Sequence, residues 1–132
     1  MSIRALLTAC ALILVPAAAF ADPTGTFKVT GSNEDATEEY TGTVKVVRTG
    51  QTYAVYWTIA GDEFVGTGLG AKFIGDRFEM GPASDDDTAI SVGYVSKENF
   101  GIAMYFEQPD GSWQGVWTYG GSEKVIAENW TR

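Results

Sequence analysis

The sequence predicts an all-β domain, a small up-and-down antiparallel β-barrel of eight or nine strands, with a two-sheet β-sandwich as the alternative. Three observations predict it. From residue 24 onward Thr, Val, Tyr, Phe and Trp alternate with polar residues, the period-two pattern of strands that bury one face. No stretch repeats apolar residues at helical spacing. Gly-bearing connectors recur at short intervals, as in hairpins that join neighbouring antiparallel strands. Closing such a meander into a barrel removes the unpaired edges it would otherwise expose.

The first 21 residues read as a secretory signal peptide, leaving residues 22–132 as a single barrel domain. Arg4 supplies the positive n-region, residues 5–15 are apolar apart from Thr8, and Pro16 precedes an Ala19-Phe20-Ala21 cleavage site. The run falls short of the roughly 20 apolar residues of a membrane span, so no transmembrane segment is expected in the mature chain. Leu7-Thr8-Ala9-Cys10 also matches a lipoprotein pattern, but the apolar run continues past Cys10 rather than ending before it. The expectation is export to the periplasm or the extracellular space.

Strands are expected over residues 24–30, 40–48, 52–60, 63–74, 77–81, 88–96, 100–108, 112–119 and 124–131. In the third, Tyr53, Val55, Trp57 and Ile59 share one face and Tyr56 lies on the other. In the seventh, Phe100, Ile102, Met104 and Phe106 form an apolar stripe, which places them inside and Tyr105 outside. In the eighth, Trp113, Gly115, Trp117 and Tyr119 share a face. Gly66, Gly68, Gly70 and Gly93 fit the bends of a small closed sheet. Gly50, Gly61, Gly75, Gly111 and Gly120-Gly121 mark tight turns, while residues 31–39 and 82–87 form longer acidic loops.

Composition removes several classes of function. The chain has no histidine, and Cys10, its one cysteine, lies in the leader. The usual general base, Ser-His-Asp triads, thiolate nucleophiles and Cys/His metal sites are therefore absent, and the reading is a non-enzyme without catalytic residues, cofactor or resident metal. The net charge of −8 repels phosphate backbones, so nucleic acid is not the expected partner. Weaker signals have plainer readings. Asp62-Glu63 is turn charge rather than a glycosidase pair, and Asp85-Asp86-Asp87 lacks the spaced ligands of a calcium loop. Gly66-Thr67-Gly68-Leu69-Gly70 has no helix after it to hold a phosphate, and Asn129-Trp130-Thr131 fits the glycosylation sequon only formally.

The aromatic residues carry the functional expectation. Tyr56 and Tyr105, if outward neighbours, make a contact patch for a protein or polysaccharide. Trp57, Trp113 and Trp117 either fill the interior or line a cavity for a small apolar ligand. A third possibility is inhibition of a secreted hydrolase through the loop at residues 31–39.

Several segments carry a family resemblance. They are Gly25-Thr26-Phe27-Lys28-Val29, Tyr40-Thr41-Gly42-Thr43-Val44, Tyr53-Ala54-Val55-Tyr56-Trp57-Thr58-Ile59, Phe64-Val65-Gly66-Thr67-Gly68 and Gly111-Ser112-Trp113-Gln114-Gly115-Val116-Trp117-Thr118. Together they resemble small secreted alphaproteobacterial proteins labelled fibronectin-binding protein, which implies export and a protein partner. The Gly25-Thr26-Phe27 opening and the late tryptophans are more loosely similar to avidin-like and lipocalin-like barrels, which implies architecture only.

Overall fold

The computed structural model describes residues 21–33 and 35–132. The expected leader, apart from Ala21, lies outside the described residues. Nine strands follow in order: β1 (Gly25–Ser32), β2 (Glu39–Thr49), β3 (Thr52–Ile59), β4 (Asp62–Ile74), β5 (Arg77–Gly81), β6 (Ala89–Ser96), β7 (Asn99–Glu107), β8 (Trp113–Tyr119) and β9 (Ile126–Thr131). Every pairing is antiparallel. Eight strands close into a barrel in the order β1-β2-β3-β4-β6-β7-β8-β9, with β9 returning to β1. The barrel expectation holds, and the sandwich does not.

The ninth strand, β5, is outside the ring. β4 is thirteen residues long. Its first part pairs with both β3 and β6, and its end, Gly70–Ile74, pairs with β5. The β4–β5 hairpin is therefore an arm that runs past the end of the barrel. The tilted rings of Phe73 and Phe78 lie 5.1 Å apart, and Phe78 reaches Phe106 of β7 at 6.0 Å, so the arm lies against the outside of the wall.

The interior is filled by period-two side chains from seven of the eight barrel strands, all but β4. Phe27, Val29, Val44, Val46, Tyr53, Val55, Trp57, Ile90, Val92, Tyr105, Trp113 and Trp130 are almost wholly buried. A barrel of eight strands has an interior just wide enough for side chains to fill, so bulk from one strand requires space on its neighbour. Tyrosines meet glycines across the ladder: Tyr40 opposite Gly31, Tyr94 opposite Gly101 and Tyr105 opposite Gly115. A Cβ on Gly115 would sit 2.2 Å from the Tyr105 ring. On β4 the inward phase is Gly66, Gly68 and Gly70.

This space constraint overturns one expectation. Phe100, Ile102, Met104 and Phe106 point outward, with exposures of 64%, 63%, 45% and 38%. The inward phase of β7 is instead Gly101, Ala103 and Tyr105. Once Trp113, Trp130 and Tyr94 occupy the interior, β7 cannot place a run of large side chains there as well. Tyr105, expected outside, is 1% exposed.

Four of the hairpins close through two-residue turns. At Ala60-Gly61 both residues have positive φ, 51° and 83°, the type I′ geometry that matches the twist of a hairpin. The ends of β1 and β8 and the starts of β2 and β9 lie at the same end as this turn, which is the mouth of the barrel.

Candidate functional site

On β9 the inward phase reads Ile126, Glu128 and Trp130, so the ladder carries a carboxylate into the barrel. Glu128 is 3% exposed. Its Oε1 accepts hydrogen bonds from Trp130 Nε1 (2.7 Å), Tyr105 Oη (2.8 Å) and Trp57 Nε1 (3.0 Å). Its Oε2 accepts one from Tyr40 Oη (2.5 Å), which in turn accepts from Trp117 Nε1 at 2.8 Å. An isolated carboxylate is costly to bury, and these four donors offset that cost. Tyr105 stacks on Trp130 at 3.8 Å, and Trp57 meets Trp130 edge-on at 6.0 Å, which holds the donors in place.

The network shifts its tyrosines. Burial, then the Glu128 charge and hydrogen bond, push the Tyr40 and Tyr105 hydroxyls well above the usual tyrosine range. Burial, then Tyr119 and Glu128, raise Tyr94. Above Glu128 a cavity of about 30 Å³ opens to the mouth. Trp57, Phe64, Tyr94, Trp117 and Tyr119 wall it.

The opposite end holds a second buried carboxylate. Asp87 is 2% exposed and accepts from Tyr53 Oη (2.5 Å) and the Ser84 amide (2.9 Å). Burial and the Asp87 hydrogen bond raise Tyr53. Asp85 pairs with Arg48 and Asp86 with Lys72, each at 2.9 Å. The three consecutive aspartates thus face three different protein partners. Among the described residues no group of three or more His, Cys, Asp or Glu is arranged to hold a metal. Asp62 is exposed beside Lys97 at 3.2 Å, and Gly66–Gly70 is uninterrupted strand.

The outer face is uneven. Of the fourteen large apolar side chains exposed among the described residues, all but Tyr56 lie within residues 65–125. Register makes them neighbours. Val65 faces Val95, which faces Phe100, while Leu69 faces Ser91, which faces Met104, which faces Val116. Beside this wall, under the arm, an apolar groove of about 520 Å³ is lined by Leu69, Phe78, Met80, Ile90 and Met104, among others.

No protein-family model, curated protein or solved structure matched the chain.

The expected contact residues do not form one patch. Tyr56 is on the outside of β3, 46% exposed, between Lys45 and Val65. Tyr105 is on the inside, so the Tyr56–Tyr105 pair does not exist. Trp57, Tyr105 and Trp117 do converge on the mouth cavity, while Trp113 is fully buried opposite Trp130. Glu128 escaped sequence reasoning, although its signal was present: it shares the phase of Ile126 and Trp130, and so the inside of β9.

Proposed function

We propose that the chain is an exported, non-catalytic binding module that docks a protein on the apolar outer wall of β4, β6, β7 and β8. The observation that carries this reading is the concentration of exposed apolar side chains on that wall. Soluble monomers rarely expose a contiguous apolar patch larger than a few hundred Å², and larger ones mark interaction surfaces. The wall is mostly Val, Leu, Ile and Met, which suits apolar protein surface better than the flat faces of sugar rings. The absence of histidine throughout the chain supports a non-catalytic role. Among the described residues no helix is long and apolar enough to cross a membrane. A bilayer-spanning barrel carries an apolar band around its outside, whereas β1 and β2 present Thr26, Lys28, Thr30, Thr41, Thr43 and Lys45 to solvent.

Fibronectin is the first partner to test, given the resemblance of the sequence. The unaltered chain should stay on immobilised fibronectin at about 1 M salt, where surface charge attraction is screened within about 3 Å. The double variant Ile102→Ser/Met104→Ser should wash off. Failure of the unaltered chain to bind removes fibronectin as the partner. Equal retention of the double variant removes the wall as the contact.

The groove under the arm favours a second reading, carriage of a small apolar ligand. Its volume of about 520 Å³ falls within the range of ligand pockets, about 300–1,000 Å³. A Met80→Asp substitution that leaves binding of an apolar dye unchanged excludes it.

A further inference from the structure

Nothing in the outer-wall reading uses the mouth of the barrel. There Glu128 is a buried acidic group whose hydrogen-bonding partners, Trp57, Trp130, Tyr105 and Tyr40, are all neutral. Indole N–H groups only donate, and Tyr40, which accepts from Trp117, gives its own proton to Oε2. The group is thus held as an acceptor. No Lys or Arg is paired with it among the described residues. A buried acidic group with no cation beside it is a conspicuous choice in a barrel that could have been filled with apolar side chains. Oε2 takes one hydrogen bond, whereas a carboxylate oxygen can accept two.

The surroundings add three features. The cavity that Glu128 lines is walled by aromatic rings, whose faces attract cations. Its volume of about 30 Å³ admits a group little larger than one water molecule, and the opening lets the rest of a ligand remain outside. The rim is acidic as well. Asp35, Glu38, Glu39, Asp62, Glu98 and Glu123 surround the mouth, while the lysines there, Lys97 and Lys124, are already paired with Asp62 and Asp35. Such a rim concentrates cations at the opening.

We propose that the mouth cavity binds a primary ammonium group, seated against Glu128 and enclosed by Trp57, Tyr94, Trp117 and Tyr119. A primary ammonium offers three donors on a compact head, with an alkyl stem that can lie along the rings. A quaternary ammonium or a guanidinium is too broad for the space. The group comes from a free alkylamine or from a lysine side chain on another protein. Both present the same head to Glu128.

The test is titration of the purified chain at constant ionic strength, followed by tryptophan fluorescence and thermal melting. n-Butylammonium represents the free amine and Nα-acetyl-lysine methylamide represents the lysine. Butanol and tetramethylammonium are the controls. A saturable response to the two primary amines is expected, with the tighter one naming the source. Tetramethylammonium should bind at least about tenfold more weakly, and butanol should give no saturable response, because charge-assisted hydrogen bonding supplies the discrimination. Glu128→Gln should weaken the amine about tenfold or more. Tyr119→Leu, at the half-buried rim, gives a second measure if Glu128→Gln does not fold, and should weaken it about threefold. The proposal is overturned if neither primary amine binds saturably or if butanol or tetramethylammonium binds as well as they do. It also falls if either folded variant keeps unaltered affinity.

Discussion

Strands β1 and β2 turn Thr26, Lys28, Thr30, Thr41, Thr43 and Lys45 to solvent, whereas β4, β6, β7 and β8 turn out Val65, Leu69, Val95, Ile102, Met104 and Val116. Both walls follow one rule inside, where side chains alternate into a shared core of Phe27, Val44, Trp57, Val92, Tyr105 and Trp130. They differ most outside. The polar wall is what a sheet with one solvated face normally shows. The outer face of the apolar wall lies outside the core of the barrel and exposes surface that water disfavours. Its small inward residues, Gly66, Gly68, Gly70, Gly101 and Ala103, are the other half of the same pattern. At these positions β4 and β7 supply space for the bulk that the other strands place inside, and their own bulk lies outside. Alternation in sequence therefore shows that a strand has two faces but not which face is the core.

The sharpest way to break this comparison is to attack the interior that both walls share. The tyrosine hydroxyls Tyr40, Tyr53, Tyr94 and Tyr105 are raised by burial first, and then by Glu128 or Asp87 or by neighbouring tyrosines. In the unfolded chain they ionise near pH 10, while in the barrel they keep their protons. The stability they contribute is fully present below about pH 10 and is lost as pH rises beyond it. Denaturant melts between pH 8 and 11.5 should show a falling midpoint with all tyrosine signals moving together. Local loosening of one wall before the other contradicts the shared core.

Next in size is Tyr105→Ala, which removes a buried ring and a donor to Glu128. Large aromatic deletions in cores cost about 3–5 kcal/mol, measurable by urea unfolding. A cost below about 1 kcal/mol, typical of exposed sites, returns Tyr105 to the outside and Phe100 to the core. Gly70→Ala sharpens the claim that the apolar wall yields space to the interior, since a Cβ there would meet the Asp87 carboxylate. Overpacking of about 1–3 kcal/mol is expected, and a neutral result shows that the loop carrying Asp87 gives way. The smallest effect on stability is expected for Ile102→Ser/Met104→Ser, within about 0.5 kcal/mol per site. The same exchange should reduce dye binding to exposed apolar surface. A large destabilisation shows that the outer wall supports the fold itself.

Much of the architecture was legible in the chain. Period-two patterning and turn residues located all nine strands to within about two residues, because both depend on local sterics and on neighbours in sequence. The inward phase of β3 was equally clear, since Tyr53, Val55, Trp57 and Ile59 alternate with less apolar residues. On β7 both phases are apolar, Phe100-Ile102-Met104-Phe106 against Ala103-Tyr105, and the larger one looked like the core. Two residues of the mouth site were also visible, Trp57 and Trp117, whereas Tyr105 was expected on the outer face. The carboxylate on which they converge was not, because its donors come from β2, β3, β7 and β9.

By itself the sequence determined that the described residues form strands without a helix, that these form hairpins in chain order, and that the chain holds neither histidine nor a cysteine beyond residue 10. Those properties are set by residues close together in the chain. Only the tertiary structure decided that eight strands close while β5 stays outside, that the bulk of β7 faces water, and that Glu128 sits among four donors. The physical reason is volume: a closed barrel encloses a fixed interior, and which side chains fill it is settled by all the strands together.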